Sequence, residues 1–79
     1  MTRLPRGVSA REFVRALKAD GFKTVRSRGS HIVYEHPAGR IVIVAFHKAS
    51  ASFPIGTLKR MIKDADWTEQ DLRRLGLLK

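Results

Sequence analysis

The adjacent residues Gly29, Ser30 and His31 form the segment of this sequence that is best suited to chemistry. Histidine is the one side chain that in its ordinary state takes up or releases a proton near neutral pH. The segment separates two strand-like runs, 22–28 and 32–36, in a chain rich in arginine and lysine. A histidine at a strand edge among cationic side chains suits acid–base cleavage of a phosphodiester bond. An ordinary surface hairpin gives the same pattern, so the rest of the sequence is needed to distinguish a catalytic histidine from one without a function.

The strongly basic composition narrows the possible partners. Sixteen Lys and Arg residues oppose seven Asp and Glu residues among 79, which gives a formal net charge of +9. A field of that sign attracts polyanions, so nucleic acid is the first candidate partner and an acidic protein the second. The absence of cysteine excludes disulfides and thiolate metal sites. No apolar run reaches membrane-spanning length and no signal-peptide core is visible, so we expect a cytoplasmic protein without a membrane partner.

Helix signals flank a central group of strand signals. Residues 1–8 are expected to be a loose lead-in, after which Ser9 and Glu12 form a capping box. The helix that they begin is expected to end at Asp20, because Gly21 is a typical helix terminator. Three strands are predicted to follow at 22–28, 31–36 and 41–46, joined by short turns at 29–30 and 37–39.

The C-terminal half is predicted to contain two helices. Pro54 opens the first, whose apolar stripe consists of Ile55, Leu58, Met61, Ile62 and Ala65. Thr68 caps a short final helix within 68–76. The order helix, three strands, helix and short helix predicts a single α+β domain over residues 1–79. Its three-stranded antiparallel sheet is expected to carry the helices on one face.

The third predicted strand is apolar on both faces, from Ile41 to Phe46. A half-exposed strand normally alternates apolar and polar residues, and the helices can cover only one face. The other face is therefore a binding surface, a dimer contact or a surface covered by the final helix.

Several segments in order resemble one known family. They are Ser9-Ala10-Arg11-Glu12, Ala19-Asp20-Gly21-Phe22, Gly29-Ser30-His31, Tyr34-Glu35-His36-Pro37, Gly39-Arg40 and the helix signal from Pro54 to Ala65. Their order and spacing resemble the HicA (YcfA-like) toxins, mRNA interferases of HicAB toxin–antitoxin systems. The chain departs from many members at Ile32, where they carry a second histidine, and in the weakly charged loop 48–53.

The resemblance implies a double-stranded-RNA-binding-domain-like α-β-β-β-α fold and a metal-independent endoribonuclease that cleaves mRNA. It also implies that His31 is the catalytic general acid or base, that no cofactor is needed and that a HicB-like antitoxin covers the active site. Two alternatives remain: a non-catalytic RNA-binding module of the same fold, and a basic protein-interaction domain.

Further residues are predicted to contact RNA phosphates. Cationic side chains near His31 would stabilise charge developing on a phosphate, and the first turn of the second helix offers free N–H groups to an anion. The predicted set is Arg26, Arg28, Gly29, Ser30, Gly56, Thr57, Lys59, Arg60 and Lys63. For Gly29 a purely conformational role is expected in either case, and for Ser30 and Gly56 a plain turn and a plain helix start are the alternatives.

The spacing of the histidines does not match that of a metal site. His31 and His36 point to opposite faces of one strand, and Glu35 lies roughly 13 Å from His31 along it. No metal site and no Glu35–His31 pair are therefore predicted. Contact with RNA is a minor possibility for His36 and for His47.

Overall fold

The computed structural model describes residues 4–46 and 48–78 of the chain. Its elements are α1 (Ala10–Ala19), β1 (Lys23–Arg28), β2 (His31–Glu35), β3 (Ile41–Ala45), α2 (Ile55–Asp64) and α3 (Glu69–Arg74). The strands form one antiparallel sheet in the order β1-β2-β3. The predicted α+β arrangement is confirmed. Within the described residues, no helix is long and apolar enough to cross a membrane.

The predicted capping box at Ser9 and the predicted cap at Thr68 are both present, and the second is also a capping box. The backbone N–H of Glu12 donates to Ser9 Oγ at 3.2 Å, while the Glu12 carboxylate accepts from the backbone N–H of Ser9 at 3.2 Å. Thr68 and Asp71 repeat the arrangement at the start of α3. The backbone N–H of Thr68 is the main reason why the pKa of Asp71 is lowered. These local bonds satisfy backbone groups that a helix start otherwise leaves unpaired.

The core lies between the helices and one face of the sheet. The sheet contributes Tyr34, Val42 and Val44, which alternate with exposed residues along β2 and β3. The helices and the C-terminal segment supply the other main buried side chains: Phe13, Leu17, Leu58, Met61, Ile62, Trp67, Leu72 and Leu77. The helices therefore cover one sheet face and leave the other open.

Two expectations about the limits of this core are wrong. The N-terminal segment from Leu4 onward is not a loose lead-in, because Val8 is buried and Leu4 packs against the core. Ile55 does not belong to the buried stripe of α2: its side chain is 57% exposed. It is the first residue of α2, and the buried positions begin one turn later at Leu58.

The carboxylate of Asp20, at the C-terminal cap of α1, joins four separate segments. Asp20 Oδ2 accepts from Trp67 Nε1 at 2.8 Å, and Asp20 Oδ1 accepts from Arg74 Nη2 at 2.5 Å. Arg40 Nη1 lies 3.5 Å from Asp20 Oδ2 and donates to the Ala65 carbonyl at 2.6 Å. The Asp20 side chain is only 8% exposed. This ion-pair network, whose centre is the largely buried Asp20 carboxylate, fixes the end of α1 against α3 and the start of β3.

The network also sets the proton affinity of Asp20. Burial alone raises the pKa of this carboxyl, but hydrogen bonds from Arg74 and Trp67 and the charges of Arg74 and Arg40 outweigh it. The net result is a pKa below the ordinary value. A group whose pKa is lower in the folded state adds stability above its unfolded pKa, which is about 3.9 for aspartate. That stability is lost as the pH falls through the folded value.

We expect Asp20→Asn to lower the free energy of unfolding near pH 7 by about 1–3 kcal/mol. The amide keeps one oxygen acceptor, but the buried donors lose their charged partner. Well below pH 4 the wild type loses the same contribution as Asp20 is protonated, so the two proteins should converge in stability. Urea unfolding near pH 7 and near pH 3 measures both effects.

Asp66→Asn is the matched control for this prediction. Asp66 is exposed and has a φ of +59°, a left-handed conformation that asparagine also tolerates. This control should leave the stability near pH 7 almost unchanged. A difference between Asp20→Asn and the wild type that stays constant down to pH 3 would contradict the proposed linkage.

Candidate nucleic-acid interface

The β1–β2 hairpin places His31 at the first position of β2. Gly29 has a φ of +59°, in the left-handed region that favours glycine. The two-residue turn Gly29-Ser30 joins Arg28 and His31, which are cross-strand partners. The Ser30 carbonyl accepts from the backbone N–H of Phe46 at 3.1 Å, so the turn is also tied to the end of β3. The His31 side chain is exposed at this fixed position.

His31 lies on the sheet face that the helices leave uncovered. Cross-strand partners share a face, and the face alternates along each strand. We call this uncovered surface the open face; its residues are Lys23, Arg26, Arg28, His31, Val33, Glu35, Ile41, Ile43 and Ala45. Cationic residues are concentrated on β1, and isoleucines on β3.

An irregularity in β1 brings two predicted cations onto the open face. Thr24 pairs with the buried Tyr34, whereas Arg26 pairs with Val33, because the register shifts between Thr24 and Arg26. In a regular strand, residues two apart share a face, so Arg26 would point with Thr24 toward the helices. The shift places Arg26 and, two residues later, Arg28 on the same face as His31.

A groove joins the open face to α2. His31, Ile41 and Ile43 from the sheet and Arg60 and Asp64 from α2 line it, with a volume of about 330 Å³. We call it the histidine groove. It brings together His31 and Arg60, both predicted from the sequence, and adds Asp64, which the sequence analysis missed. The signal for Asp64 was its i,i+4 spacing from Arg60, which puts both on one side of the helix.

A second groove of about 470 Å³, the loop groove, shares Arg60 with the first. The predicted residue Thr57 lines it, together with Lys48 and the half-buried rings of Phe46 and Phe53. Thr57, Arg60 and Asp64 lie three and four residues apart and therefore share one side of α2. This side faces the edge of β3.

The other predicted residues of α2 lie elsewhere on the helix. Lys59 and Lys63 are one turn apart and share a side, but Lys59 is about 160° around the helix from Thr57. Gly56 is exposed in the first turn, where a Cβ would meet no atom within 4 Å. Lys63, three residues after Arg60, lies closer to it around the helix, but Arg60 is the cation of α2 that lines the two grooves.

His36 has a structural role that accounts for its presence. Its Nε2 lies 2.9 Å from the Asp20 carbonyl, and its Nδ1 accepts from the backbone N–H of Ala38 at 3.0 Å. These contacts require a proton on Nε2 and none on Nδ1. The ring also packs edge-on against Phe22 at 5.1 Å. His47 lies outside the described residues, and no group of three metal-ligating side chains occurs among residues 4–46 and 48–78.

The apolar part of the open face is exposed. The side chains of Ile41 and Ile43 are each 48% exposed, while Leu72 of α3 is buried in the core behind the other face. Of the three explanations for the doubly apolar third strand, coverage by the final helix is therefore wrong. A binding surface or a dimer contact remains.

The fold and this face define a small α+β protein whose exposed histidine lies on a cationic and partly apolar sheet. The model of one protein family, described as the HicA toxin of bacterial toxin-antitoxin, matches residues 10–67. Because this match covers well over half of the 79 residues, the chain belongs to the HicA toxin family. Membership gives the chain a toxin role and implies an antitoxin partner. A comparison with curated proteins found no match.

The positive φ of Gly29, in the turn before His31, leads to a prediction about the free energy of unfolding. A Cβ added to Gly29 would meet no atom within 4 Å, so Gly29→Ala should cost only the strain of its positive φ. That strain is about 1–2 kcal/mol, and Gly29→Asn should lose less because asparagine tolerates this conformation. Urea unfolding measures the difference. Gly56→Ala, also in open space but without a positive φ, should cause no loss; an equal loss there would refute the conformational explanation.

Proposed function

We propose that this toxin is a metal-independent endoribonuclease that cleaves mRNA and that His31 transfers the proton. The observation that carries the proposal is the histidine groove, where an exposed imidazole and a guanidinium from separate elements line one opening. The groove adjoins a cationic sheet face in a chain of net charge +9. An acid–base group beside a cation is an arrangement suited to phosphodiester cleavage.

The proposed reaction uses the ribose itself as the nucleophile. The 2′-oxygen forms a bond to the adjacent phosphorus, and the bond from phosphorus to the 5′-oxygen breaks. The products are a 2′,3′-cyclic phosphate and a 5′-hydroxyl. Neutral His31 takes the proton from the 2′-hydroxyl while water protonates the leaving 5′-oxygen, or protonated His31 gives a proton to the leaving 5′-oxygen while water accepts the proton of the 2′-hydroxyl. Arg60 stabilises the charge that develops on the phosphate, since its planar guanidinium suits oxyanions.

The remaining predicted residues hold the RNA around this centre. Arg26 and Arg28 share the open face with His31 and bind neighbouring phosphates. Gly29 and Ser30 keep the turn in place beside them. The first turn of α2, with Gly56 and Thr57, offers further phosphate contacts, and Lys59 and Lys63, which lie outside the two grooves, attract the polyanion.

We further propose that a HicB-like antitoxin covers the open face. Ile41 and Ile43 present apolar surface beside His31, and a protein partner gains free energy by burying such surface. The cations of β1 suit acidic side chains on that partner. An antitoxin placed there prevents RNA from reaching the histidine groove.

The proposal predicts that His31→Ala abolishes cleavage. In EDTA, purified wild-type protein should cut mRNA, and the variant should be at least about 100-fold slower, the usual range for loss of an acid–base group. Gel analysis of the RNA measures the rates, and circular dichroism checks the fold. Glu35→Gln, on the same strand and face, is the matched control and should remain active.

Other results point to the alternatives. Equal cutting by the wild type and folded His31→Ala would contradict a role for His31. Salt-sensitive RNA binding by both, without cutting by either, would favour the non-catalytic RNA-binding module. Absence of both binding and cutting would favour a protein-interaction domain.

The positions of the cations on α2 give a second test. Arg60→Ala should lower kcat/KM for RNA cleavage by about 100-fold, the scale for loss of one group that stabilises transition-state charge. Lys59→Ala removes the same charge from another side of the helix and should change kcat/KM only a few-fold. Equal effects of the two variants would show that only the overall charge of α2 matters.

A further inference from the structure

We propose that the loop groove is a pocket for one unpaired base of the RNA, next to the phosphate at His31. This inference rests on the proposed nuclease function for the identity of the substrate. It assigns a role to a surface that acid–base chemistry at His31 does not require. It also specifies the substrate as a single-stranded or looped region of RNA.

The inner wall of the loop groove is suited to stacking. Phe46 and Phe53 line it and are half-buried, so each ring keeps an accessible part. The ring of Phe53 is held edge-on against the buried Phe13, with centroids 5.8 Å apart. Bases stack on such aromatic surfaces whatever their sequence, because every base has a π-face. The volume of about 470 Å³ leaves room for a flat ring system.

The rim of the loop groove is cationic and polar. Lys48 and Arg60 are exposed there, and Ser52 and Thr57 add hydroxyl groups. An apolar wall below a cationic rim matches a nucleotide, which has an aromatic base and anionic phosphates on either side. The hydroxyls are able to donate to or accept from the edge of a base.

The loop groove begins directly beside His31. Ala45, in its wall, is the cross-strand partner of His31, and such partners have Cα atoms about 5 Å apart. Phe46 donates its backbone N–H to the Ser30 carbonyl, one residue before His31. Arg60 lines both grooves. A strand whose phosphate lies at His31 therefore has an adjacent base within reach of the pocket.

The pocket implies that the bound nucleotide is unpaired. In an A-form duplex the bases are stacked and paired, so a protein reads mainly the shape, the phosphates and the 2′-hydroxyls. A base has to leave its stack to enter a side pocket, and this costs least in single strands and loops. Binding through the loop groove should therefore favour unpaired RNA over duplex.

Fluorescence of 2-aminopurine tests the pocket independently of cleavage. The probe is a short RNA of alternating cytidine and 2-aminopurine, which are not Watson–Crick partners of each other, so the strand stays single; it is mixed with His31→Ala protein so that it stays intact. Ala51→Leu, added to this protein, fills the groove from its wall, and Ser52→Leu is a second filling variant at an exposed site. Ala49→Leu adds the same side chain two residues before Ala51, on an exposed residue outside the lining of the groove.

We expect binding to quench the fluorescence of the 2-aminopurine bases. Each filling variant should weaken the affinity for the single strand by about 5- to 100-fold, the range for one stacked base, and should reduce the quenching. Ala49→Leu should behave like the parent protein. Annealing the RNA to its complement should remove the difference between the filled and parent proteins.

Unchanged affinity and quenching in either folded filling variant, as judged by thermal melting, would overturn the base pocket. Cleavage of mRNA by the wild-type protein, measured alongside, reports separately on the proposed nuclease. If the wild type cuts RNA and filling the groove has no effect, the pocket is refuted and the nuclease is not. If no protein binds or cuts RNA, both proposals are refuted.

Discussion

The arrangement of this fold depends on the carboxylate of Asp20. A buried charge is costly unless it is paired and hydrogen-bonded, and here the partners come from distant parts of the chain. Trp67 donates through its indole, and Arg40 and Arg74 supply charge. Arg40 lies just before β3, Trp67 just before α3 and Arg74 within α3. All three reach the same carboxylate only when these elements pack in the observed arrangement. The burial of Phe22 and Trp67 beside it adds apolar packing to the same junction.

The packing around Asp20 determines which face of the sheet is available for function. Trp67, which donates to Asp20, packs against the buried rings of Phe13 and Phe22 on the helix side of the sheet. The opposite face keeps His31, the β1 cations and the exposed isoleucines. Since a chain of 79 residues encloses only a modest core, a site on an open face with shallow grooves is the form that such a protein can build. The side of α2 that follows the edge of β3 supplies the second wall.

Much of the fold could be predicted from the sequence, because its signals are local. The capping boxes at Ser9 and Thr68 and the glycine at the tight turn act within a few residues, and the structure shows each in place. The predicted apolar stripe of α2 includes Ile55 because the helical spacing fits it equally well, but the packing of α2 shows that burial starts at Leu58. The lead-in was expected to be loose because no periodicity covers so short a segment, although its Val8 is buried.

The candidate site was less predictable, since it depends on register and on contacts between distant elements. The position of Arg26 on the face of His31 follows from the irregularity in β1, and no turn residue in the sequence signals it. The meeting of His31 with Arg60 and Asp64 depends on how α2 lies along β3. The loop groove is likewise formed by a strand end, a loop and the first turns of α2.

The two kinds of surface on the open face suit two competing ligands of different chemistry. On the proposed function, RNA is held chiefly by cations, and such binding weakens steeply as salt displaces it. An antitoxin instead gains from burying the isoleucines of β3, and this contribution does not depend on screened charges. On the proposed function both ligands use the cations of β1, so their binding would be mutually exclusive without any conformational change in the toxin. On these proposals an RNA competes poorly with the antitoxin at physiological ionic strength, because salt weakens its phosphate contacts but not the burial of apolar surface.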